Sequence, residues 1–216
     1  MVFAYGEIEI AHLKRKDKRL GAAIDSIGHI ERAVDGELFT CVVRHIVGQQ
    51  ISAAALATIW QRMSAGIGEI TPAAFAKMDA GDVQKYGITY KKAEYIKDFA
   101  QKVACGALDL QALALMPNGE VIQQLSSLKG IGVWTAEMIL LFGLSRADIL
   151  SFGDLGIHRG MRMLYHHRRI DSKLFEKYRR RYSPFGSVAS LYLWAISAGA
   201  IPGMRDYAPS KKAVKV

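Results

Sequence analysis

A short segment with two glycines and a carboxylate downstream of it are the residues best placed to do chemistry. The segment reads Leu128-Lys129-Gly130-Ile131-Gly132, is followed by Trp134, and lies between two stretches of helical periodicity. Two glycines two residues apart favour a tight hairpin with uncovered backbone N–H groups, and beside a helix N-terminus such groups form an anion site. The carboxylate, Asp154, follows Gly153 and precedes another helical pattern. This arrangement predicts a protein that holds a phosphate and acts on the molecule that carries it.

The composition indicates a globular, basic chain. Its 216 residues are 50% hydrophobic, which is enough for one sizeable domain or two closely packed lobes. Lys and Arg number 29 against 20 Asp and Glu, giving a formal net charge of +9 and favouring an anionic polymer as partner. Many basic proteins bind no nucleic acid, so charge alone leaves the partner open. Together with the phosphate-binding hairpin, it favours DNA.

Neither a metal centre nor a membrane anchor is predicted. Cys41 and Cys105 are far apart and lack C-x-x-C spacing, which excludes a zinc ribbon and a four-cysteine iron–sulfur cluster. We expect both to be small buried hydrophobes in a reducing compartment. His158, His166 and His167 have no carboxylate or thiol at ligand spacing. No apolar run is long enough to cross a membrane and no signal-peptide pattern is present, so we expect a cytoplasmic protein.

Helical periodicity dominates the chain. Apolar residues recur at three- and four-residue intervals and nothing alternates at period two, which predicts an all-α protein of roughly ten short helices. The longest pattern, from Leu38 to Trp60, predicts a nearly continuous helix, and Thr71-Pro72 is an N-cap and N1 pair. We expect the lysine-rich tail from Pro209 to Val216 to be loose. Other predicted helices cover 24–34, 72–78, 90–108, 120–127, 135–142 and 154–167, and one begins at Ser183-Pro184.

Two segments carry a resemblance to a known family. Residues 128–136, LKGIGVWTA, and 148–154, DILSFGD, resemble the helix-hairpin-helix DNA glycosylases, in particular the 3-methyladenine branch with AlkA and the yeast-type enzymes. Residues 46–52 and 91–96 match as well, so the resemblance extends from Leu38 to Gly199. It implies two helical lobes with the active-site cleft between them. The expected lobes are residues 46–145, with the hairpin, and residues 1–45 combined with 146–216.

The resemblance implies that the hairpin grips a DNA phosphate. This contact positions the protein on the duplex and reads no base sequence. The alternative is an ordinary glycine-containing turn between two helices. On the helix after Asp154, Arg159 and Arg162 are the best candidates for further phosphate contacts, whereas the other basic clusters are as compatible with solvated faces. The hairpin residues expected to bind the phosphate are Lys129, Gly130, Ile131 and Gly132.

Asp154 matches the catalytic aspartate of that family. By itself it reads as a helix N-cap, and the two roles are compatible. Helix N–H groups and the helix dipole would keep the carboxylate ionised. A fixed anion stabilises the positive charge that develops on the deoxyribose as the base leaves, and it can orient or deprotonate the attacking water. Asp148 is a weaker candidate because it precedes the apolar Ile149-Leu150 pair rather than a helix start.

Trp134 bears on the reaction type and on the substrate. In bifunctional members of the superfamily a lysine at this position forms a Schiff base with the sugar, so a tryptophan implies a monofunctional enzyme. An indole can stack on a cationic alkylated base with a cation–π attraction of about 0.5–2 kcal/mol. By resemblance, Trp134, Met138 and Trp194 match base-pocket positions. Met138 departs from the tyrosine of the AlkA type, and Trp194 reads equally as a core residue.

The target bond is unreachable inside a duplex, so the nucleotide must be flipped out. Gln49 and Gln50 resemble the family's wedge loop, with Gln50 at the intercalating position where the AlkA type has an apolar side chain. The alternative is a polar helix end. No metal or organic cofactor is expected, although the family allows a monovalent cation at the hairpin carbonyls. The expected partner is double-stranded DNA with alkylated bases, bound by a monomer.

The resemblance therefore implies excision of alkylated purines, such as 3-methyladenine and 7-methylguanine, during base excision repair. Two alternatives stay open from the residues. One is a glycosylase for deaminated or etheno bases, because pocket shape rather than sequence separates these lesions. The other is a non-enzymatic helix-hairpin-helix DNA-binding module, in which Asp154 is only a helix cap.

Overall fold

The computed structural model of the chain describes residues 1–209, and over these residues the fold is helical. One isolated antiparallel bridge, between Val2 and Ala33, is the only β pairing among the described residues. The prediction of an all-α protein is confirmed, while most of the predicted loose tail, residues 210–216, lies outside the described residues. The helices are α1 (Glu7–Lys16), α2 (Lys18–Ile27), α3 (Leu38–Gly48), α4 (Ala53–Ile67), α5 (Pro72–Lys77), α6 (Ala80–Gln84), α7 (Tyr90–Ala104), α8 (Leu110–Leu115), α9 (Asn118–Ser126), α10 (Val133–Phe142), α11 (Leu155–Tyr165), α12 (Ser172–Tyr182) and α13 (Gly186–Ser197).

Helix boundaries agree with the sequence where a capping residue marks them. Thr71 Oγ1 accepts the Ala74 N–H at 3.3 Å and Pro72 opens α5, as predicted. The predicted continuous helix from Leu38 to Trp60 is wrong: α3 ends at Gly48 and α4 begins at Ala53. Gln50 between them adopts a left-handed backbone with φ of 57°, which a right-handed helix cannot contain.

The structure differs from the sequence prediction at two further helices, α2 and α12, where the apolar spacing is a poor guide. The predicted pattern over 24–34 stops at Ile27, because Gly28 takes a φ of 79° and ends α2. Helix α12 was not predicted, because its charged residues obscure the apolar ones. It begins at its N-cap Asp171, whose side chain accepts the Leu174 N–H at 2.8 Å.

The chain divides into two compact units. The first comprises Met1 with Val34–Leu144, and the second comprises Val2–Ala33 with the chain from Ser145 onward. The first unit therefore begins earlier than the predicted residue 46. Helix α3 belongs to it because this helix packs against α4, α7 and α10. Phe39 of α3, for example, stacks on Phe99 of α7 with ring centroids 5.1 Å apart.

In the second unit, α11 and α13 approach each other closely at a glycine. A Cβ added to Gly160 of α11 would lie 2.2 Å from the backbone carbonyl oxygen of Leu193 in α13. Only a residue without a side chain allows the two backbones to pack at this distance. This contact fixes the position of α13 and of Trp194, the residue that follows Leu193.

Candidate active site

Asp154 lies at the start of α11 with a side chain held by two N–H donors. Its Oδ1 accepts the backbone N–H of Ile157 at 2.8 Å and the indole N–H of Trp194 at 3.0 Å. The residue is only 7% exposed. Charge-assisted hydrogen bonds and the positive end of a helix dipole both stabilise negative charge at this oxygen. The structure therefore supplies a buried, oriented carboxylate, and the predicted N-cap role of Asp154 is confirmed.

Trp194 is half-buried on α13 and donates directly to the candidate catalytic carboxylate. Its predicted place in a base pocket stays a prediction, while the hydrogen bond gives it a clear positioning role. Gly156 makes room for this contact: an added Cβ would lie 3.0 Å from Trp194 Cδ1 and 3.1 Å from Asp154 Oδ1. Sequence reasoning missed both Gly156 and Gly160. Their signal was available, as two glycines four residues apart on one face of the predicted helix.

Asp148, the weaker catalytic candidate, has a structural role. Its Oδ2 accepts the Ser183 hydroxyl at 2.6 Å and its Oδ1 accepts the Gly186 N–H at 3.1 Å. The carboxylate thus holds the first residue of α13. Because both oxygens are engaged in this way, the structure does not support Asp148 as a catalytic group.

The predicted hairpin is present between α9 and α10, within the first unit. Gly130 has a φ of 81°, and an added Cβ would lie 2.1 Å from Cδ2 of Tyr95, so only glycine fits. Ile131 donates its N–H to the Leu128 carbonyl at 3.2 Å, so this N–H closes the turn rather than facing a ligand. Gly132 is the N-cap of α10, and no atom lies within 4 Å of an added Cβ. Gly132 and the first turn of α10 are therefore the part of the hairpin open to a phosphate.

Lys129 at the hairpin tip can bind an anion with little loss of folding stability. Its side chain is 68% exposed, and its Nζ lies 3.5 Å from the Asp98 carboxylate. Asp98 also accepts from Lys102 at 2.7 Å, and this hydrogen bond, with a smaller contribution from Lys129, lowers the pKa of Asp98. An exposed pair at this distance contributes little to stability. Lys129 can therefore exchange Asp98 for a phosphate without disturbing the fold.

The loop between α3 and α4 is attached to the hairpin by Gln49. Its amide Nε2 donates to the Gly130 carbonyl at 2.7 Å, and Lys92 Nζ donates to the carbonyls of Val47 and Gln49 at 2.9 and 2.6 Å. Partial burial lowers the pKa of Lys92. Gln49 thus joins this loop to the hairpin, and its predicted wedge role stays a prediction.

Gln50 is exposed at the tip of this loop, with its left-handed backbone directing it away from the helical path. Left-handed residues other than glycine are uncommon and concentrate at functional sites. Intercalation by Gln50 stays a prediction, in a loop that the hydrogen bonds of Gln49 and Lys92 hold in place.

Trp134 and Met138 lie one turn apart on α10 but differ in exposure. Trp134 is 44% exposed and Met138 is 3% exposed. The indole of Trp134 therefore offers a surface on which a base can stack. Met138 offers almost none in this structure, and its predicted contact with a base stays a prediction.

The two arginines predicted on α11 have different environments. Arg162 forms a bidentate pair with Asp206, from Nε to Oδ1 at 2.7 Å and from Nη2 to Oδ2 at 2.6 Å. This pairing raises the pKa of Arg162 and neutralises its charge locally. Arg162 thus holds Asp206 of the C-terminal segment, and its predicted DNA contact stays a prediction. Arg159 is exposed and stays a candidate.

The three histidines considered as metal ligands in the sequence each contact an aromatic side chain, with His166 beside Tyr207. His158 packs on Phe152, while Nε2 of His167 lies 2.8 Å from the Tyr178 hydroxyl. Cys41 is buried as expected, but Cys105 is exposed because it caps the end of α7 at the surface.

One group of three potential ligands, Asp35, Cys41 and His45, does occur among the described residues. His45 Nδ1 lies 2.9 Å from the Cys41 carbonyl oxygen. Burial, reinforced by Asp35, raises the pKa of the Cys41 thiol. Cys41 Sγ also lies 3.5 Å from His45 Nδ1, so these two side chains contact each other directly. Separately, none of the helices within residues 1–209 has the length and apolar character needed to span a membrane.

The hairpin between two helices and the buried carboxylate that caps a later helix are the two main features of the candidate site. The sequence matches the model of the HhH-GPD superfamily of base excision DNA repair proteins over residues 43–184, and the chain belongs to this family. DNA is therefore its partner, and the resemblance found in the sequence is confirmed.

Individual relatives cover most of the chain. DNA-3-methyladenine glycosylase 1 of Schizosaccharomyces pombe is 29% identical over 196 residues, which span 88% of this chain and 86% of that protein. A Bacillus subtilis relative, YfjP, is 28% identical over 173 residues; the match covers 74% of this chain but only 59% of the relative's length.

Two solved structures are similar to the whole fold. The DNA-3-methyladenine glycosidase of Bacillus halodurans has a TM-score of 0.83 and 31% identity, with 96% of this chain and 97% of that chain covered. The 3-methyladenine DNA glycosylase of Schizosaccharomyces pombe, solved with abasic DNA, has a TM-score of 0.78 and 26% identity, covering 90% and 99% of the two chains.

Proposed function

We propose that this protein is a monofunctional DNA glycosylase that excises alkylated purines, with 3-methyladenine and 7-methylguanine as the main substrates. The observation that carries the proposal is the Asp154 carboxylate, oriented by Ile157 and Trp194 at the start of α11 in an HhH-GPD chain. The names of the relatives support the choice of alkylated purines.

The chemistry follows from the charge of the damaged base. Alkylation at N3 or N7 makes a purine cationic, so the base leaves as a neutral molecule when it takes the electron pair of the glycosidic bond. Positive charge then develops on the deoxyribose, and the fixed anion of Asp154 stabilises it. A water molecule adds to the sugar carbon, and Asp154 accepts its proton. Trp134, with an exposed indole, supplies a surface that attracts the cationic base before cleavage.

A lyase step is not part of the proposal. Schiff-base formation requires an amine at the hairpin position occupied here by Trp134. Lys129, five positions earlier, faces Asp98 at the hairpin tip and is a poor substitute. The expected product is therefore an abasic site in an intact strand.

The first experiment is to incubate the protein with methylated duplex DNA and to identify the bases released. We expect free 3-methyladenine and 7-methylguanine, with strand breaks only after alkali treatment. Duplexes with hypoxanthine or ethenoadenine test the alternative substrates in parallel. Strand cleavage without alkali would contradict the monofunctional mechanism. DNA binding without release of any base would favour the non-enzymatic module.

Gln50→Ala tests the proposed wedge. We expect release of a lesion base from a duplex to fall about tenfold, because an unfilled gap in the stack raises the cost of flipping by about 1.4 kcal/mol. Release from single-stranded DNA should be unchanged, because no stack has to be filled there. The matched control is Gln61→Ala on the exposed face of α4. An equal loss on both substrates would show that Gln50 has another role.

A further inference from the structure

A basic cavity lies within the second unit, at the opposite end of α11 from Asp154. Its volume is about 540 Å³. It forms where α1 meets α2, beside the C-terminal end of α11 and beside α12. None of its side chains has a role in the proposed excision. The lining residues are Lys16, Asp17, Lys18, Arg19, Tyr165, His167, Tyr178 and Arg181.

The floor of this cavity is an internally satisfied network around Asp17, which is 3% exposed. Asp17 accepts hydrogen bonds from Arg181 Nη1 at 2.5 Å and from the Tyr165 hydroxyl at 2.8 Å. It also accepts the backbone N–H groups of Arg19 and Leu20 at 3.0 and 2.9 Å. The negative charge of Asp17 is therefore used to hold the shape of the cavity.

The rim of the cavity carries uncompensated positive charge. Lys16, Lys18 and Arg19 are exposed, and within the described part of the chain none of them forms an ion pair. Two basic residues outside the cavity lining do face carboxylates: Lys14 pairs with Asp25, and Arg180 lies 3.9 Å from Glu176. The mouth therefore carries three cations that form no ion pair among the described residues.

The basic residues around the cavity also affect the pKa of its histidine, His167. Burial, followed by the charges of Arg19, Lys177 and His166, lowers the pKa of His167. The lowered pKa favours the neutral imidazole, whose Nε2 lies 2.8 Å from the Tyr178 hydroxyl. The cavity combines a positive mouth with neutral polar walls, which suits phosphodiester groups that are held by charge without base recognition.

We propose that this cavity is a second DNA-binding site, which takes the phosphates of a DNA segment other than the one held at Asp154. Helix α11 separates the two sites, and its 11 residues span about 16 Å. The proposal rests on DNA as the partner of this chain and is independent of which lesion is excised. A second site of this kind lets the protein hold one segment while it releases another, so that it transfers directly between DNA segments.

The test is the formation of a ternary complex. The protein is mixed one to one with a dye-labelled abasic-site duplex, and an undamaged duplex with a second dye is added at about 50 mM salt, where phosphate contacts are strong. We expect the second duplex to bind while the first stays bound. The double variant Lys18→Ala/Arg19→Ala should weaken binding of the second duplex at least about tenfold and reduce its salt slope by about two. Base release and binding of the abasic duplex should be unchanged.

Lys14→Ala is the matched control, because it removes a lysine of the same helix junction that is already paired with Asp25. It should leave the second duplex bound as in the wild type. A wild-type protein that forms no ternary complex would overturn the proposal, as would a double variant that binds like the wild type. Inorganic phosphate that shifts the His167 resonances without any ternary complex would assign the cavity to a small anion and would also overturn it. Base release in any of these cases leaves the proposed function standing.

Discussion

Replacing Asp154 with asparagine is expected to lower the rate of base release by at least about 10²–10³-fold, while the protein stays folded and binds DNA. Asparagine is as good an N-cap as aspartate, and its side-chain oxygen can still accept from Ile157 and Trp194. The substitution therefore removes one negative charge and little else. The loss of rate measures the stabilisation that this charge gives to the positively charged transition state.

Single-turnover release of 3-methyladenine is the appropriate measurement, accompanied by thermal melting and by affinity for abasic DNA. Asp148→Asn is the matched control, because that carboxylate holds the start of α13 and is not proposed to contact the reacting sugar. We expect it to lower the melting temperature but to leave release measurable. An Asp154→Asn protein that releases bases at the wild-type rate would reduce Asp154 to a helix cap.

Gly160→Ala is expected to destabilise the protein by about 3 kcal/mol, the largest effect on folding of any substitution considered in this protein. The new Cβ would lie 2.2 Å from the Leu193 carbonyl oxygen, which is backbone and cannot turn aside. Helices α11 and α13 would have to separate. The separation would also displace Trp194 from Asp154, so the remaining folded protein should release bases more slowly.

Thermal melting checks this prediction, with an expected fall in melting temperature of roughly 6–12 °C. Gly119→Ala is the control, because Gly119 is also helical, in α9, but no atom lies within 4 Å of an added Cβ. It should be neutral or stabilising by up to about 1 kcal/mol, since alanine favours helices over glycine. Equal destabilisation by both variants would show that loss of glycine, rather than the close helix contact, is responsible.

The sequence by itself determined the features that depend on neighbouring residues. The hairpin around Gly130 and the Thr71-Pro72 helix start were predicted correctly. The same holds for the N-cap at Asp154, because turns and caps form between groups three or four residues apart. The all-α class followed from the apolar spacing in the same way. A break such as the one at Gln50 was missed because its left-handed backbone has no signal in apolar periodicity.

Only the tertiary structure decided which polar side chains are available to a substrate. Gln49, Asp148 and Arg162 have the residue types of a wedge, a catalytic carboxylate and a phosphate contact. Their partners lie 81, 35 and 44 residues away in the chain, at Gly130, Ser183 and Asp206. The same holds for Gly156 and Gly160, whose importance depends on the proximity of α13. The residue type determines the charge of a side chain. Long-range packing determines which group that side chain pairs with.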